Sequence, residues 1–266
     1  MSKNIIVITG VAGGIGKEFL KLMINEPGID EIWAVGRTMS KLEALKAEFG
    51  DKVVPVQVDV TSDDDVNAYI DLLKKEGAKV KWLINCAGTR ALYKPGADIT
   101  RLLATVRTNL VGNMAMCYAS IPFMGQGDHI LNVSSAASFQ PLPSNNSYAA
   151  AKVGLRFFSK GLEYELKSRG IIITCSCPGW VQTELMVFKD GEMSPIERLP
   201  GVTTPDKVAA KSLKDARKGK SICYPTLKVH VDYYLTKFSP MMGVMWFATH
   251  IETDHYKDFI KTGILT

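Results

Sequence analysis

Tyr148 and Lys152 stand four residues apart in Ser-Tyr-Ala-Ala-Ala-Lys, and Ser135 lies thirteen residues before the tyrosine in Asn-Val-Ser-Ser. The trio offers a phenolic proton donor, a cation beside it and a hydroxyl able to hold a carbonyl oxygen. On a helix over residues 147–170, a spacing of four puts Tyr148 and Lys152 on one face, one turn apart. An ammonium next to a phenol favours the phenolate, so Lys152 is expected to draw the tyrosine down from its ordinary pKa of roughly 10. A tyrosine so tuned works as a general acid or base. Taken alone, the same spacing fits a chance pair on a surface helix, so the surrounding elements decide.

Residues 4–9 form a short apolar run that closes on a glycine-rich turn, and 15–25 carry helical periodicity. The alternation continues with strands expected at 31–36, 53–58, 81–84, 129–133, 171–176 and 220–224. Helical stretches fall between them at 39–49, 62–76, 98–124, 147–169 and 205–218. Runs such as Ile-Ile-Ile-Thr suit strands buried on both faces, hence a parallel sheet under helices. Right-handed crossovers then predict an α/β fold: a single-domain, doubly wound Rossmann sheet of about seven strands with helices on both faces. No linker or repeat divides residues 1–266. Two segments break the rhythm. Residues 184–204 mix Leu185, Met186, Val187 and Phe188 with Gly191 and two prolines, and read as a lid-like loop at the ligand-binding edge. Residues 225–266 form a tail with aromatic and methionine clusters.

Bulk properties narrow the function. The 266 residues are 46% hydrophobic and 22% charged, as in ordinary soluble globular proteins. A net charge of +5 without lysine or arginine runs argues against a nucleic-acid surface. The opening apolar run is too short for a signal peptide, and the longest apolar stretch, 241–248, is far short of a membrane span. Five cysteines, an odd number without a CxxC pair, point to a reducing compartment, with Cys175 and Cys177 expected on opposite faces of their strand. The four histidines show no metal-ligand spacing. The expectation is a cytoplasmic enzyme without a metal.

Thr9-Gly10-Val11-Ala12-Gly13-Gly14-Ile15-Gly16 sits between the first strand and the first helix. Glycines there let the backbone turn tightly and approach a pyrophosphate, which a helix N-terminus attracts. After the second strand, Gly36 and Arg37 stand where an NAD enzyme places a carboxylate on the ribose hydroxyls. A guanidinium there instead suits a 2′-phosphate, so NADP(H) is favoured over NAD(H).

With Thr9–Gly16, Asp59-Val60, Asn85-Cys86-Ala87-Gly88, Asn109, Ser135, Tyr148, Lys152 and Pro178-Gly179 in order, the chain resembles the short-chain dehydrogenase/reductase family, classical branch, over residues 4–224. The resemblance implies hydride transfer between a nicotinamide and a carbonyl or secondary alcohol. Asn109, Ser135, Tyr148 and Lys152 would be catalytic, with Asn109 shaping a helix bend and holding a relay water. Gly10, Ala12, Gly13, Gly14, Ile15, Gly16, Arg37, Asp59, Val60, Asn85, Ala87, Gly88, Tyr148, Lys152, Pro178, Gly179, Val181 and Thr183 would hold the cofactor. Ser135, Tyr148, Trp180, Leu185 and Met186 would meet the substrate. Trp180, Leu185, Met186 and Phe188, with Met241, Met242, Trp246 and Phe247 of the tail, suit a steroid-like, fatty-acyl or aromatic ketone; the tail residues fit core or interface equally well. The resemblance further implies a homodimer or homotetramer through residues 98–124 and 147–169. Two other readings stay open: a non-catalytic NADP-binding sensor or scaffold, and membrane-surface association through the tail with Lys228 and Lys237.

Overall fold

The computed structural model describes residues 2–91, 98–142, 145–184 and 202–238. Its centre is β1, Lys3–Thr9, in which Ile5 and Val7 enter one packed layer while Ile6 and Ile8 enter the other. All four are fully buried, as a strand covered on both faces requires. β2 (Glu31–Gly36), β3 (Val53–Gln57), β4 (Ala78–Asn85), β5 (His129–Val133), β6 (Ile172–Ser176) and β7 (Ile222–Cys223) complete the sheet. Among the described residues these seven strands run in the order β3-β2-β1-β4-β5-β6-β7, all parallel. The order reverses direction between β1 and β4, and the carboxyl ends of those strands open a crevice there.

α1 (Gly14–Met23), α2 (Met39–Phe49) and α7 (Pro205–Arg217) cover one face, inserting Phe19, Leu20, Leu42 and Leu213. α3 (Asp63–Lys75), α5 (Asn113–Ser120) and α6 (Asn146–Glu165) cover the other, inserting Tyr69, Leu73, Met116 and Leu162. Each such aliphatic or aromatic side chain stabilises the fold by about 1.5–3 kcal/mol relative to exposure. α3 shows how local sequence sets an element. Ser62 caps it by accepting from the Asp65 amide at 3.2 Å, three aspartates fill the first turn, and Lys74 and Lys75 end it.

The long helix expected over 98–124 is four pieces. α4 (Ile99–Val106) passes into a π-helical turn, Arg107–Gly112, then α5, then a 3₁₀ turn at Ile121–Phe123 that contains Pro122. The strand expected at 220–224 shrinks to two residues, and the tail contains α8, Leu227–Phe238. Cys175 and Cys177 share a side rather than opposing faces, because residues two apart on a strand point the same way, and their thiols interact. All five cysteines are free thiols. Among the described residues no helix is long and apolar enough to cross a membrane.

Candidate active site

The loop between β1 and α1 is shaped by contacts that leave no space for side chains. A Cβ on Gly16 would lie 2.2 Å from the Gly10 carbonyl oxygen, and one on Gly10 would lie 2.8 Å from the Ala87 backbone. Gly10 and Gly14 also take positive φ, 65° and 50°. The Thr9 hydroxyl accepts from the amides of Cys86 and Ala87 at 3.1 Å each, locking the ends of β1 and β4 together. Gly13 caps α1 with no side-chain acceptor, so the first helical amides face the crevice. The Thr183 methyl sits 3.0 Å from where a Gly14 Cβ would be, and Glu184 Oε2 lies 3.7 Å from the same point on Gly13. Backbone amides, positive dipole and missing side chains fit a dinucleotide's pyrophosphate.

One cavity of about 930 Å³ runs along the crevice. It brings together every described residue expected at the site except Gly16 and Asn85. Gly16 lies beneath the loop, against Gly10 and Val11. Asn85 is fully buried and turns its amide into the helix layer, donating to Asn132 Oδ1 at 2.9 Å and to the Asn113 carbonyl at 3.3 Å. Its structural role joins β4, β5 and α5. Leu185 and Met186, most of the lid-like segment 184–204 and the tail beyond 238 lie outside the described residues.

At the far end of the sheet Arg37 is exposed on the cavity wall, and Gln57 Nε2 donates to its carbonyl at 3.0 Å. Thr38 and Lys41, which sequence reasoning missed, line the same corner; the signal was a second base one helical turn after Arg37. Asp59 spends its carboxylate on the Thr61 amide and hydroxyl at 2.9 and 2.7 Å, so its backbone and Val60 form the wall.

At the other end, α6 places Tyr148 and Lys152 on one face, with Lys152 Nζ 5.6 Å from the phenol ring centroid. Lys152 is only 4% exposed, and its ammonium donates to the Val133 carbonyl at 2.8 Å. Burial pushes its pKa down to about 8. Tyr148 departs from the sequence expectation. Burial raises its pKa, and the groups opposing that rise are the Ser135 hydroxyl and the positive charge of Arg90, not Lys152. Ser135 is held by donating to the Pro178 carbonyl at 3.4 Å while accepting from the Ala137 amide at 3.1 Å.

Asn109 occupies the π-helical turn. Its Nδ2 donates to the Thr89 carbonyl at 2.6 Å and the Thr105 carbonyl at 2.8 Å, which fastens the distorted helix to the segment after β4. Its Oδ1 is buried without a protein hydrogen-bond partner among the described residues. That oxygen would lie 2.8 Å from a Gly88 Cβ, and Lys152 Nζ 3.8 Å from the same point, so both polar atoms converge over Gly88. Asn113, absent from the sequence expectation, repeats the device by donating to the Asn109 carbonyl at 2.9 Å and the Ala87 carbonyl at 3.3 Å.

After β6, Thr203 exchanges backbone hydrogen bonds with Trp180 and Gln182 at 3.0 Å each. Val229 of α8 fills the notch at Gly179, where a Cβ would meet it at 2.8 Å. Leu235 and Asp232 of α8 also face the cavity, so the tail supplies one wall.

This arrangement has a proton donor, a hydroxyl and a cation at one end of a nucleotide-shaped cleft. The family profile described as short chain dehydrogenase matches residues 4–192. The chain belongs to the short-chain dehydrogenase family. An uncharacterized short-chain type dehydrogenase/reductase of Sinorhizobium fredii is 31% identical over 77% of this chain, which spans only 39% of that protein's length. A 3-oxoacyl-(acyl-carrier-protein) reductase of Chlamydia muridarum is 30% identical over 78% of this chain and 87% of its own. Among solved structures, the closed form of a serine dehydrogenase complexed with NADP+ superposes with a TM-score of 0.68 at 26% identity, over 77% of this chain and 86% of that one.

Proposed function

We propose that this protein is an NADP(H)-dependent oxidoreductase that interconverts a ketone and a secondary alcohol. The observation that carries the reading is the convergence of Ser135, Tyr148 and Lys152 on one cavity with the glycine cradle of β1–α1. Within that reading the glycine loop and the α1 N-terminus hold the pyrophosphate, Val60 and Ala87 flank the adenine half, and Val181 and Thr183 hold the nicotinamide half. When bound, the cofactor supplies the hydride for reduction and accepts it for oxidation.

The chain's own groups handle the oxygen. Tyr148 gives its phenolic proton to the carbonyl oxygen as charge develops there. Ser135 donates a hydrogen bond to the same oxygen, an electrostatic stabilisation present only as the charge grows. Lys152, positive below about pH 8, binds the ribose and passes protons to Tyr148. Asn109 Oδ1 aims at the same space as Lys152 Nζ and suits a water that relays those protons.

NADP(H) preference rests on Arg37, Thr38 and Lys41 at the ribose corner, where no carboxylate follows β2. The NADP+ complex of the serine dehydrogenase supports it. The apolar wall of Trp180, Val229 and Leu235 supports a substrate with an apolar body. One domain, closed by α8, houses the whole site.

The test follows absorbance of NADPH and of NADH with a panel of aliphatic, aromatic and steroid-sized ketones. Turnover with NADPH at least tenfold above NADH is the expected result. Tight NADPH binding with no turnover on any ketone would instead describe a nucleotide sensor.

A further inference from the structure

α8 has apolar side chains on both of its sides, and the body of the protein uses only one. On the inner side Val229 is buried in the notch at Gly179. The Tyr233 ring packs there too, with its centroid 5.2 Å from Phe139 and 5.1 Å from Tyr224. Leu227, Val231, Tyr234 and Phe238 stand elsewhere on the helix, and spacings of four, three and four make them one stripe. Leu227 is 80% and Phe238 77% exposed, with Leu235 beside them at 57%. An apolar stripe held in water at this extent marks a surface that meets something.

Charge narrows what it meets. The other exposed residues of α8 are Lys228, His230 and Lys237. Asp232, the single acid of the helix, is half-buried toward the cavity and held by Lys228 at 2.9 Å. The outward side of α8 is thus apolar and basic without an exposed carboxylate, on a chain of net charge +5. Aliphatic and aromatic residues on one side of a helix, with lysines whose long stems carry their charge back to water, are the composition of a helix lying in a bilayer interface. In sequence the apolar character continues three positions after Phe238 in Met241-Met242-Gly243-Val244-Met245-Trp246-Phe247-Ala248, which contains no charge. A soluble acidic partner would answer the lysines but not this run of apolar surface.

We infer that α8 docks the protein peripherally on an anionic lipid surface. Leu227, Val231, Tyr234 and Phe238 enter the boundary between headgroups and acyl chains, and Lys237 meets the anionic headgroups. The helix lies in the plane of the surface and does not cross it. Val229 and Leu235 of the same helix line the cavity, so docking sets one cavity wall beside the apolar layer. The attachment is independent of the hydride-transfer reading, and vesicle binding and turnover test the two separately.

The test floats the intact chain on a density gradient with vesicles of phosphatidylcholine, alone or with about 30% phosphatidylserine. The anionic vesicles are expected to bind at least about tenfold more tightly at low salt, a preference that about 1 M salt shrinks. Leu227→Asp combined with Phe238→Asp changes two of the most exposed side chains and should weaken vesicle binding about tenfold or more, with the circular dichroism spectrum unchanged. Lys237→Gln should weaken binding to the anionic vesicles about fivefold and leave the neutral ones unaffected. Absence of binding to either vesicle, or binding retained in the double aspartate variant, overturns the docking. So does a sedimentation coefficient that falls in that variant without lipid, since the stripe is then a contact between copies of this chain.

Discussion

A phenol and an ammonium on one helix face do not by themselves make an acid catalyst. Tyr148 is lifted by burial, and Lys152 is pulled down to about 8 by the same cause. Removing the phenolic oxygen in Tyr148→Phe is expected to lower kcat by about a thousandfold or more, with NADPH affinity by fluorescence titration almost unchanged. Lys152 makes a separate prediction through linkage. Its folded pKa of about 8 lies below the ordinary 10.5, so between those values the unfolded chain holds more protons and stability rises with pH. Below about pH 8 the buried charge weighs against the fold at its full extent. Urea midpoints between pH 8 and 10.5 should climb less in Lys152→Met than in wild type, and an equal climb would refute the assignment.

The elements that carry the site were legible where periodicity is strong. β2, α2 and β5 fall on the expected residues 31–36, 39–49 and 129–133, since each is bounded by clear turn signals. Periodicity alone did not show the break in the helix over 98–124, although the resemblance implied a bend at Asn109; the Asn109 and Asn113 amides reach carbonyls of the segment after β4 there. A tertiary bond of that kind leaves no mark on local spacing. The same holds for Asn85, whose family position suggested cofactor contact while its amide crosses to Asn132. Arg90 escaped notice because its contact with the Trp180 ring joins positions ninety residues apart in sequence. Glu184 was missed likewise, and it yields a prediction for the loop it faces. An exposed carboxylate beside a pyrophosphate costs about 1 kcal/mol at 4 Å in water. Glu184→Gln should therefore tighten NADPH binding several-fold at low salt, an effect that 1 M salt erases; calorimetry at both ionic strengths checks it.

For the molecule as a whole, the outer faces of the helices around the site carry several exposed apolar side chains. Phe157 and Tyr164 on α6 are 67% and 82% exposed, and Ile99, Leu103, Val111 and Tyr118 stand out from α4 to α5. Phe157 and Tyr164 are seven apart and so share a side of their helix. This surface supports self-association, as the resemblance implies. Sedimentation velocity is expected to show a dimer or tetramer, and Phe157→Asp with Tyr164→Asp should shift it to monomer while leaving the circular dichroism spectrum intact. An unshifted sedimentation coefficient would place any subunit contact elsewhere.

The paired bonds between Thr203 and its partners Trp180 and Gln182 have a bearing on how such a protein diversifies. They clasp the two ends of the intervening chain beside the cavity mouth, so whatever length lies between begins and finishes at fixed points. Closing a longer loop across a set gap costs only about 0.6 kcal/mol per doubling. Insertions and deletions between those fixed points are thus nearly neutral for the sheet. The clasp makes the stretch between Gln182 and Thr203 an interchangeable cassette, whose length selection can change without rebuilding the machinery behind it.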